Sequence, residues 1–339
     1  MKKENPWLTL NSKKGDELMS FKIVSFTKKY LEDAAKLFTR RYKEMRGKSA
    51  ILPSQYEKQD LILPLLRNLV DNGPGAIAMR GPRLVGFLTG QVLPDFRGHR
   101  AVWSQEWANA AEVGDSREIY QSMYEVLSSK WVADGCSNHF ITLFTDDYDA
   151  IDAWFWESFA MESVDALRDL SPIEKPQSDI EIRKAEIQDL HLLSKFYEKL
   201  SQHLLAAPTF LKQDREGEKE HYEKLLLDPL CPHWFAYLNK DPVAFVGLRS
   251  GNSSDCHIVR DEKTIRIAGA FTLKDKRHQG VATNLLSQAI EWAKSAGYVR
   301  CTVDFEPENI VARRFWLRHF QPICYSLVRH VDERITKSL

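Results

Sequence analysis

The stretch Ala268-Gly-Ala-Phe-Thr-Leu-Lys-Asp-Lys-Arg-His-Gln-Gly-Val-Ala-Thr-Asn-Leu-Leu286 contains the signals of a strand, a loop and a helix in direct succession. Residues 265–273 are mostly apolar with strand character, a basic polar loop follows, and an amphipathic helix begins near Gly280. Small residues at 280 and 282 let a ligand approach the backbone closely. Because the first N–H groups of a helix lack intrahelical partners and carry its positive dipole end, the stretch predicts a phosphate-binding loop.

The spacing within this loop separates it from two well-known phosphate loops. A Walker A loop ends in Gly-Lys-Ser/Thr, and a dinucleotide fingerprint has a third glycine three residues after its second; neither occurs here. The chain instead has Arg277-x-x-Gly280-x-Ala282, followed by two leucines. This pattern resembles the acetyl-CoA pyrophosphate loop, Arg/Gln-x-x-Gly-x-Gly/Ala, of the GNAT superfamily of N-acetyltransferases.

A second pattern downstream strengthens the resemblance. A predicted strand at 298–305 precedes Asn309-Ile-Val-Ala-Arg-Arg-Phe-Trp316. The family pattern at the same distance from the loop is Asn-x-x-Ala-x-x-Phe/Leu-Tyr. The resemblance covers residues 180 to about 331.

The resemblance implies an α/β fold with a mixed, mostly antiparallel sheet, a splayed pair of parallel strands and flanking helices. Acetyl-CoA would enter between the splayed strands as a co-substrate, with no metal. An unpaired strand edge also leaves amide groups free for such an amide-bearing ligand. The expected cofactor contacts are Phe271, Thr272, Leu273, Arg277, His278, Gln279, Gly280, Val281, Ala282, Thr283, Asn309, Phe315 and Trp316.

Three of these side chains have alternative interpretations. Arg277 is either a phosphate ligand or a solvated loop cation. Asn309 either contacts the cofactor or caps the helix that follows it. Trp316 is either a wall of the thioester pocket or a core residue, and it replaces the family's tyrosine, whose proton an indole does not supply near neutral pH.

A general base is needed because an amine with a pKa near 10.4 costs about 4.6 kcal/mol to deprotonate at pH 7. Some relatives carry a glutamate on the fourth strand, but the comparable positions 264, 266 and 268 are not acidic here. Glu306, just after the fifth strand, is therefore the predicted base, acting directly or through a water, with an exposed loop carboxylate as the alternative. Tyr325 on the last strand is the second candidate for proton transfer.

The acceptor cleft is predicted between residues 201–212 and the first half of the chain. His203, Phe210 and Tyr237 are candidates for its lining, with ordinary core roles as the alternative for each.

The order of predicted elements repeats along the chain at a spacing of about 160 residues, which predicts a tandem duplication. The landmark pairs are Gly86 with Gly247, Gly135 with Gly297, and Trp156 with Trp316. The proline-bearing segment 171–179 has no apolar periodicity and predicts a linker. We therefore expect a degenerate GNAT-like domain at 1–170, a linker at 171–179, and an acetyl-CoA-binding GNAT domain at 180–339.

The first copy is expected to bind no CoA. Where the second has its basic loop, the first has Ala-Glu-Val-Gly-Asp-Ser-Arg-Glu at 111–118, and carboxylates near a helix N-terminus repel a pyrophosphate. Its expected role is a scaffold or one wall of the acceptor cleft.

The composition of the chain disfavours several other classes of protein. Lys plus Arg and Asp plus Glu are both 47 in 339 residues, so no basic excess favours nucleic acid. No apolar stretch approaches 18 residues and the N-terminus has no apolar signal region, so we expect no membrane span and a cytoplasmic protein. Five scattered cysteines predict free thiols rather than disulfides or a metal site.

The predicted function is transfer of an acetyl group from acetyl-CoA to a primary amine of a small molecule or peptide, by a monomer or homodimer. The alternatives are a catalytically silent acyl-CoA-binding or regulatory module, and transfer of a bulkier acyl group.

Overall fold

In this computed structural model, which describes residues 21–176, 179–213, 218–250 and 256–336, helices and strands alternate in two similar series. The first series is β1 (Lys22–Ser25), α1 (Leu31–Lys48), α2 (Gln59–Asn72), β2 (Gly75–Arg80), β3 (Arg83–Thr89), β4 (Gln91–Phe96), β5 (His99–Ser104), β6 (Asn109–Ala111), α3 (Ser116–Ala133), β7 (Asn138–Phe144), α4 (Tyr148–Trp156) and β8 (Ala160–Asp169).

The second series repeats the first with small changes of length. It comprises β9 (Glu181–Lys184), α5 (Leu190–Leu205), α6 (Glu218–Leu227), β10 (His233–Leu238), β11 (Asp241–Ser250), β12 (Thr264–Thr272), α7 (Val281–Ser295), β13 (Arg300–Phe305), α8 (Ile310–His319), β14 (Gln321–His330) and the short α9 (Glu333–Thr336). No sequence pattern predicted β4, β6, β8, α6 or the short α9. The mixed α/β class with flanking helices is as predicted.

Helix boundaries follow local sequence signals. The apolar positions of α7, including Leu285, Ala289 and Ile290, are buried as their spacing predicts. Gly135 and Gly297 lie two residues beyond α3 and α7 with φ of 80° and 90°, which is the left-handed geometry that ends a helix at glycine.

The strands form a four-stranded sheet, β1-β2-β3-β6, and a ten-stranded sheet, β4-β5-β7-β14-β8-β13-β12-β11-β10-β9. In the larger sheet the final strands of the two series are exchanged. β14 lies between β7 and β8, antiparallel to both, and β8 lies between β14 and β13. One continuous sheet therefore crosses the predicted linker, which runs between β8 and β9.

Equivalent contacts confirm that the two series are structurally alike. Asp147 caps α4 by accepting from the N–H of Ala150, and Asn309 caps α8 by accepting from the N–H of Ala312. These two caps stand 162 positions apart in the sequence. Each cap also contacts the first long helix of its series, again through residues 162 positions apart: Arg41 reaches Asp147 at 3.0 Å, and the His203 ring reaches Asn309 at 3.2 Å.

One predicted landmark was misplaced. Trp156 is 68% exposed, whereas Trp154 is 1% exposed and Trp316 is 7% exposed. Trp154 and Trp316 are also 162 positions apart, so Trp154 is the packing equivalent. The aromatic cluster Trp-Phe-Trp at 154–156 hid this two-residue shift, because either tryptophan satisfied the sequence spacing.

Apolar side chains pack on both faces of the larger sheet. On one face, α7 covers Ile265, Val303 and their neighbours. On the other, α1 and α2 cover the end of β7 near Phe144. The five cysteines are all free and buried, as predicted from their scatter.

Candidate functional site

A gap opens between β12 and β13. The parallel register joins Thr264, Ile265 and Arg266 to residues 300–302, and within the described chain it stops there. β12 then continues to Thr272 beside β11. The splayed strands predicted from sequence are therefore present, and the half-buried segment 268–272 faces the gap.

A β-bulge bends β12 where the gap begins. Gly269 pairs with Gly247 while Ile267 pairs with Leu248, so Ala268 is an extra residue on β12. Such a bulge turns a strand away from its former course and re-aims its backbone groups. A methyl group on Gly269 would lie 2.7 Å from the hydroxyl of Tyr197, so glycine allows α5 to lie directly on the strand.

The predicted phosphate loop connects β12 to α7. The backbone adopts positive φ at His278 (63°) and at Gly280 (78°), and Gly280 directly precedes the first residue of α7. The Asn284 side chain donates to the Gly280 carbonyl at 3.1 Å, which fixes the turn. The N–H groups of residues 281–283 form the first turn of α7, where a helix offers donors and positive dipole charge to an anion.

The segment after β8 passes beside this loop. The Ile173 carbonyl accepts a hydrogen bond from Ser287, and Lys175 pairs with Glu291, both on α7. A methyl group on Gly280 would lie 2.5 Å from Cγ of Pro176. The described part of the linker therefore packs against the first turns of α7. Residues 177 and 178 of the predicted linker lie outside the described chain.

Arg277 turns towards β12. Its Nε donates to the Thr272 carbonyl at 3.2 Å, and its guanidinium lies 5.7 Å from the centre of the Phe271 ring. Burial lowers the pKa of Arg277 from its ordinary value. This geometry differs from a fully solvated loop cation and places the charge at the open end of the strand. Leu273, just beyond the strand, donates its N–H to Val243.

The opposite side of the gap is formed by the β13–α8 connection. Asn309 is buried, caps α8 and contacts His203, whose ring lies 6.0 Å from that of Phe271. His203 therefore touches both sides of the gap. The structure thus brings together a predicted acceptor residue and two predicted cofactor residues.

Phe315 and Trp316 lie on α8 and pack in the core that contains α7 and β13. Their rings are 4.8 Å apart, and Trp316 is also in contact with Phe320. Trp316 thus has the contacts expected of a core residue, which is its alternative role.

Glu306 lies at the end of β13 and lines a cavity of about 340 Å³. Burial raises the pKa of Glu306 above its ordinary value, and the carboxylates of Asp304 and Glu308 act in the same direction. A carboxyl group with a raised pKa accepts a proton more readily, which is the property a general base requires. Asp304, which sequence reasoning missed, lines the same cavity and pairs with Arg266.

The cavity lies on the sheet face opposite α7. In the strand register, Asp304 lies opposite Asp165, Ser163 opposite Ser326, and Ser326 opposite Thr142. These lining residues therefore share one face of four adjacent strands. Residues 256–260 cross above them: the N–H of Cys256 donates to Asp165 at 3.0 Å, and that of Ile258 to Glu106 at 2.8 Å.

The remaining predicted residues lie elsewhere. Tyr325 is on β14 and packs against the cores on the α7 face, so its side chain points away from Ser326 and the cavity. Tyr237 lies on β10, two strands from β12, and its hydroxyl accepts a hydrogen bond from Arg183 at 2.7 Å. Phe210 is 73% exposed in the loop after α5. The structure therefore does not bring these three aromatic residues together with Glu306.

The equivalent region of the first series has a different structure. α3 has 18 residues and α7 has 15, and both end two residues before their glycines, so α3 begins almost one turn earlier. Glu112 pairs with Arg40 and Arg83, and Asp115 pairs with Arg80. The first turn of α3 and these ion pairs thus lie where the second series has its loop at 278–280.

The part of the chain that contains this geometry matches a known protein family. Residues 197–320 match the family described as acetyltransferase (GNAT). This part of the chain is similar to a GNAT-family acetyltransferase domain. The match includes the gap between β12 and β13, the loop before α7, and α8. A search of curated protein sequences found no match.

Solved structures extend the GNAT fold to both series. A GCN5-related N-acetyltransferase from Sphaerobacter thermophilus is similar over 91% of this chain and 95% of its own, with a TM-score of 0.56 and 11% identity. A GCN5-related glucosamine N-acetyltransferase region of a fungal multi-domain β-N-acetylglucosaminidase is similar over 91% of this chain and 38% of its own, with a TM-score of 0.51 and 12% identity. The chain therefore has two GNAT-type folds in tandem.

Within ranges 21–176, 179–213, 218–250 and 256–336, no group of three or more His, Cys, Asp or Glu side chains is arranged to hold a metal ion. In the same ranges, no helix combines the length and apolar character needed to cross a membrane.

Proposed function

We propose that the second GNAT unit transfers an acetyl group from acetyl-CoA to a primary amine of a small molecule or peptide. The observation that carries this proposal is the splayed end of β12, which leads directly into the left-handed turn before α7. In this arrangement the first turn of α7 would hold the pyrophosphate. The backbone edge at 271–273 would pair with the amide groups of the pantetheine.

Donor and acceptor would approach from opposite faces of the sheet. α7 lies on one face and the Glu306 cavity on the other, so the amine would reach the thioester through the gap. Glu306 would take a proton from the ammonium group, directly or through a water. The amine nitrogen then bonds to the acetyl carbon, the C–S bond breaks, and the second proton of the amine passes to the departing CoA sulfur, directly or through water.

Two features lower the demands on other side chains in this mechanism. A backbone N–H near the Ala268 bulge would polarise the thioester carbonyl, as preorganised donors do in acyl transfer. The leaving thiol has a pKa of about 8.5, so the thiolate needs little help from an acid. A tyrosine in place of Trp316 is therefore dispensable.

We also propose that residues 1–170 bind no CoA, that 180–339 bind acetyl-CoA, and that 171–179 connect the two. The longer α3 and the paired carboxylates Glu112 and Asp115 support this asymmetry. The Arg41–Asp147 ion pair, only 10% and 12% exposed, further fills the first unit where the second has His203 and Asn309.

The test is thiol release from acetyl-CoA with a panel of primary amines, together with calorimetric titration of CoA. We expect turnover with at least one amine. Glu306→Gln should lower that rate at least tenfold without changing CoA affinity, whereas Glu125→Gln, at an exposed acid on α3, should behave as wild type. An unchanged rate in Glu306→Gln would remove this carboxylate from the mechanism.

The second candidate is a silent acyl-CoA-binding or regulatory module. Trp316, packed in the core in place of the family's tyrosine, favours it. Tight CoA binding with no thiol release for any amine would support this candidate over catalysis. Competition between acetyl-CoA and longer thioesters tests transfer of a bulkier acyl group.

A further inference from the structure

The cavity beside Glu306 is built by both GNAT units. The second unit supplies Asp304 from β13 and Glu306 just after it, while the hairpin of β4 and β5 from the first unit supplies Phe96, Arg97 and Trp103. The exchanged strand β8 adds Glu162 between them. Strand exchange is thus what brings the first unit to the reacting side of the second.

We propose that the acceptor binds in this shared cavity, that it is a compact polar cation such as an amino sugar or short polyamine, and that the first unit determines its specificity. This inference rests on the proposed acetyl transfer. It adds the class of acceptor and a role for the unit that is proposed to bind no CoA.

The size of the cavity limits the acceptor. Its volume of about 340 Å³ is near the lower end of ligand pockets, which span roughly 300–1,000 Å³. At about 30 Å³ per water, the space equals roughly eleven water molecules. A single sugar ring or a short polyamine is of this size, whereas a peptide or a molecule of several rings is larger.

The charge of the lining favours a cation. Five acidic side chains line the cavity, opposed by Arg97 and Arg260 in the lining and by Arg266, which pairs with Asp304 beside it. Burial raises the pKa of Glu106, one of the five, so the excess of negative charge comes from the other acidic groups. Hydroxyl groups on Thr142, Ser163 and Ser326 add hydrogen-bonding partners on the floor. A molecule with several amino or hydroxyl groups matches this combination of excess negative charge and neutral donors.

The aromatic wall is rigid. The Trp103 ring stacks on Phe140 at 5.0 Å, its Nε1 donates to Thr142 at 2.9 Å, and the Phe96 ring lies edge-on at 5.5 Å. A fixed apolar surface facing carboxylates suits a molecule with both a hydrocarbon face and cationic groups.

The ion pair between Arg97 and Glu162 provides a sharp test. It joins the hairpin tip to β8 and is half exposed at Arg97. If the cavity binds a cation, Glu162→Gln removes an attractive charge and should raise the acceptor KM. Arg97→Gln removes a repulsive charge and should lower it. A purely structural role for the pair would shift both variants in the same direction.

The experiment measures acetyl transfer to glucosamine, spermidine, a three-ring aminoglycoside and a lysine-containing tripeptide. With the best compact amine, we expect the acceptor KM to rise roughly threefold to tenfold in Glu162→Gln and to fall by a similar factor in Arg97→Gln. Both shifts should shrink at high salt. The KM for acetyl-CoA should stay constant, and Glu125→Gln, at an exposed acid on α3, serves as the matched control.

Two results would overturn the inference while leaving acetyl transfer intact. One is preference for the tripeptide or the three-ring amine over both compact amines. The other is transfer whose acceptor KM does not respond to either charge variant. If the proposed function itself fails, none of the four amines releases thiol from acetyl-CoA. In that case calorimetry still shows whether a compact amine binds and whether Glu162→Gln weakens that binding.

Discussion

At the scale of single residues, the environment of Glu306 decides its chemistry more than its identity does. The sequence marked it only as an acid after the fifth strand. The structure adds a cavity and a raised pKa caused mainly by desolvation. Asp304 could have been noticed by strand alternation, since it shares a face with Glu306. The first unit's lining residues carry no sequence signal, because they meet Glu306 only through the exchanged strand.

The pH dependence of activity should report this carboxyl group. Because only the ionised form accepts a proton, kcat/KM for the amine should fall as the pH drops through the raised pKa of Glu306. We expect this acidic limb above the range of an exposed glutamate, and we expect Glu306→Gln to lack it. Stopped-flow thiol release from pH 4.5 to 8 measures both. An acidic limb that persists in the variant would assign it to another group.

Buried His233 should make stability depend on pH. Burial lowers its pKa to about 4, with Nδ1 hydrogen-bonded to the Cys231 carbonyl at 2.8 Å. Below pH 6.5 the unfolded chain gains a proton that the folded ring refuses until about pH 4, so stability falls over that window. The loss from this ring alone is about 2 kcal/mol between pH 6.5 and 5.

Denaturant melts at pH 7 and pH 5 test this expectation. His233→Gln should be less stable at pH 7 but lose less on acidification, while exposed His191→Gln should follow wild type. Identical acid losses in wild type and His233→Gln would show that other groups set the pH dependence.

At the scale of elements, helices and inner strands follow the sequence closely because apolar periodicity and terminal glycines determine them locally. The strand predicted at 298–305 is β13 (Arg300–Phe305), and the helix predicted to begin near Gly280 is α7, which begins at Val281. The missed β8 pairs with β13 and β14, which are distant in sequence, so no local pattern marks it, whereas β4 is an edge strand that pairs with the adjacent β5.

In the first turn of α7, a negatively charged substitution should weaken CoA binding more than a neutral one of similar size. Ala282→Glu places a carboxylate among the donors proposed to hold pyrophosphate, and Ala282→Gln adds a similar volume without charge. We expect Ala282→Glu to weaken CoA binding at least tenfold more than Ala282→Gln. A helix N-terminus attracts anions, but a carboxylate placed there repels the phosphates that would bind at the same position. Calorimetric titration gives both constants. Equal losses would mean that bulk, rather than charge, matters at this position.

At the scale of the whole molecule, the ten-stranded sheet makes the two units interdependent. The sequence predicted the duplication from recurring landmarks, but it gave no sign that the last strands change places. β8 and β14 each have 10 residues, so strand length does not distinguish the exchanged order from the unexchanged one. Only the geometry of the pairing between β7, β14, β8 and β13 reveals the exchange.

Separated halves should therefore fail to fold alone and recover together. Each of fragments 1–176 and 179–339 lacks a strand that its sheet uses from the other. We expect each alone to aggregate or to lack a cooperative melt, and co-expressed fragments to copurify as a 1:1 complex. Cooperative unfolding of either isolated fragment at the temperature of the intact chain would contradict the expected dependence.

The strand exchange also determines when each strand can pair with its neighbours during synthesis on the ribosome. Among the described strands β14 is made last, so the edges of β7 and β8 that it joins wait unpaired while more than 150 residues of the chain are still being added. Exposed strand edges invite pairing with neighbouring nascent chains. A protein built this way depends on protection during translation, and its yield should respond to chaperone supply and to translation speed through the second half.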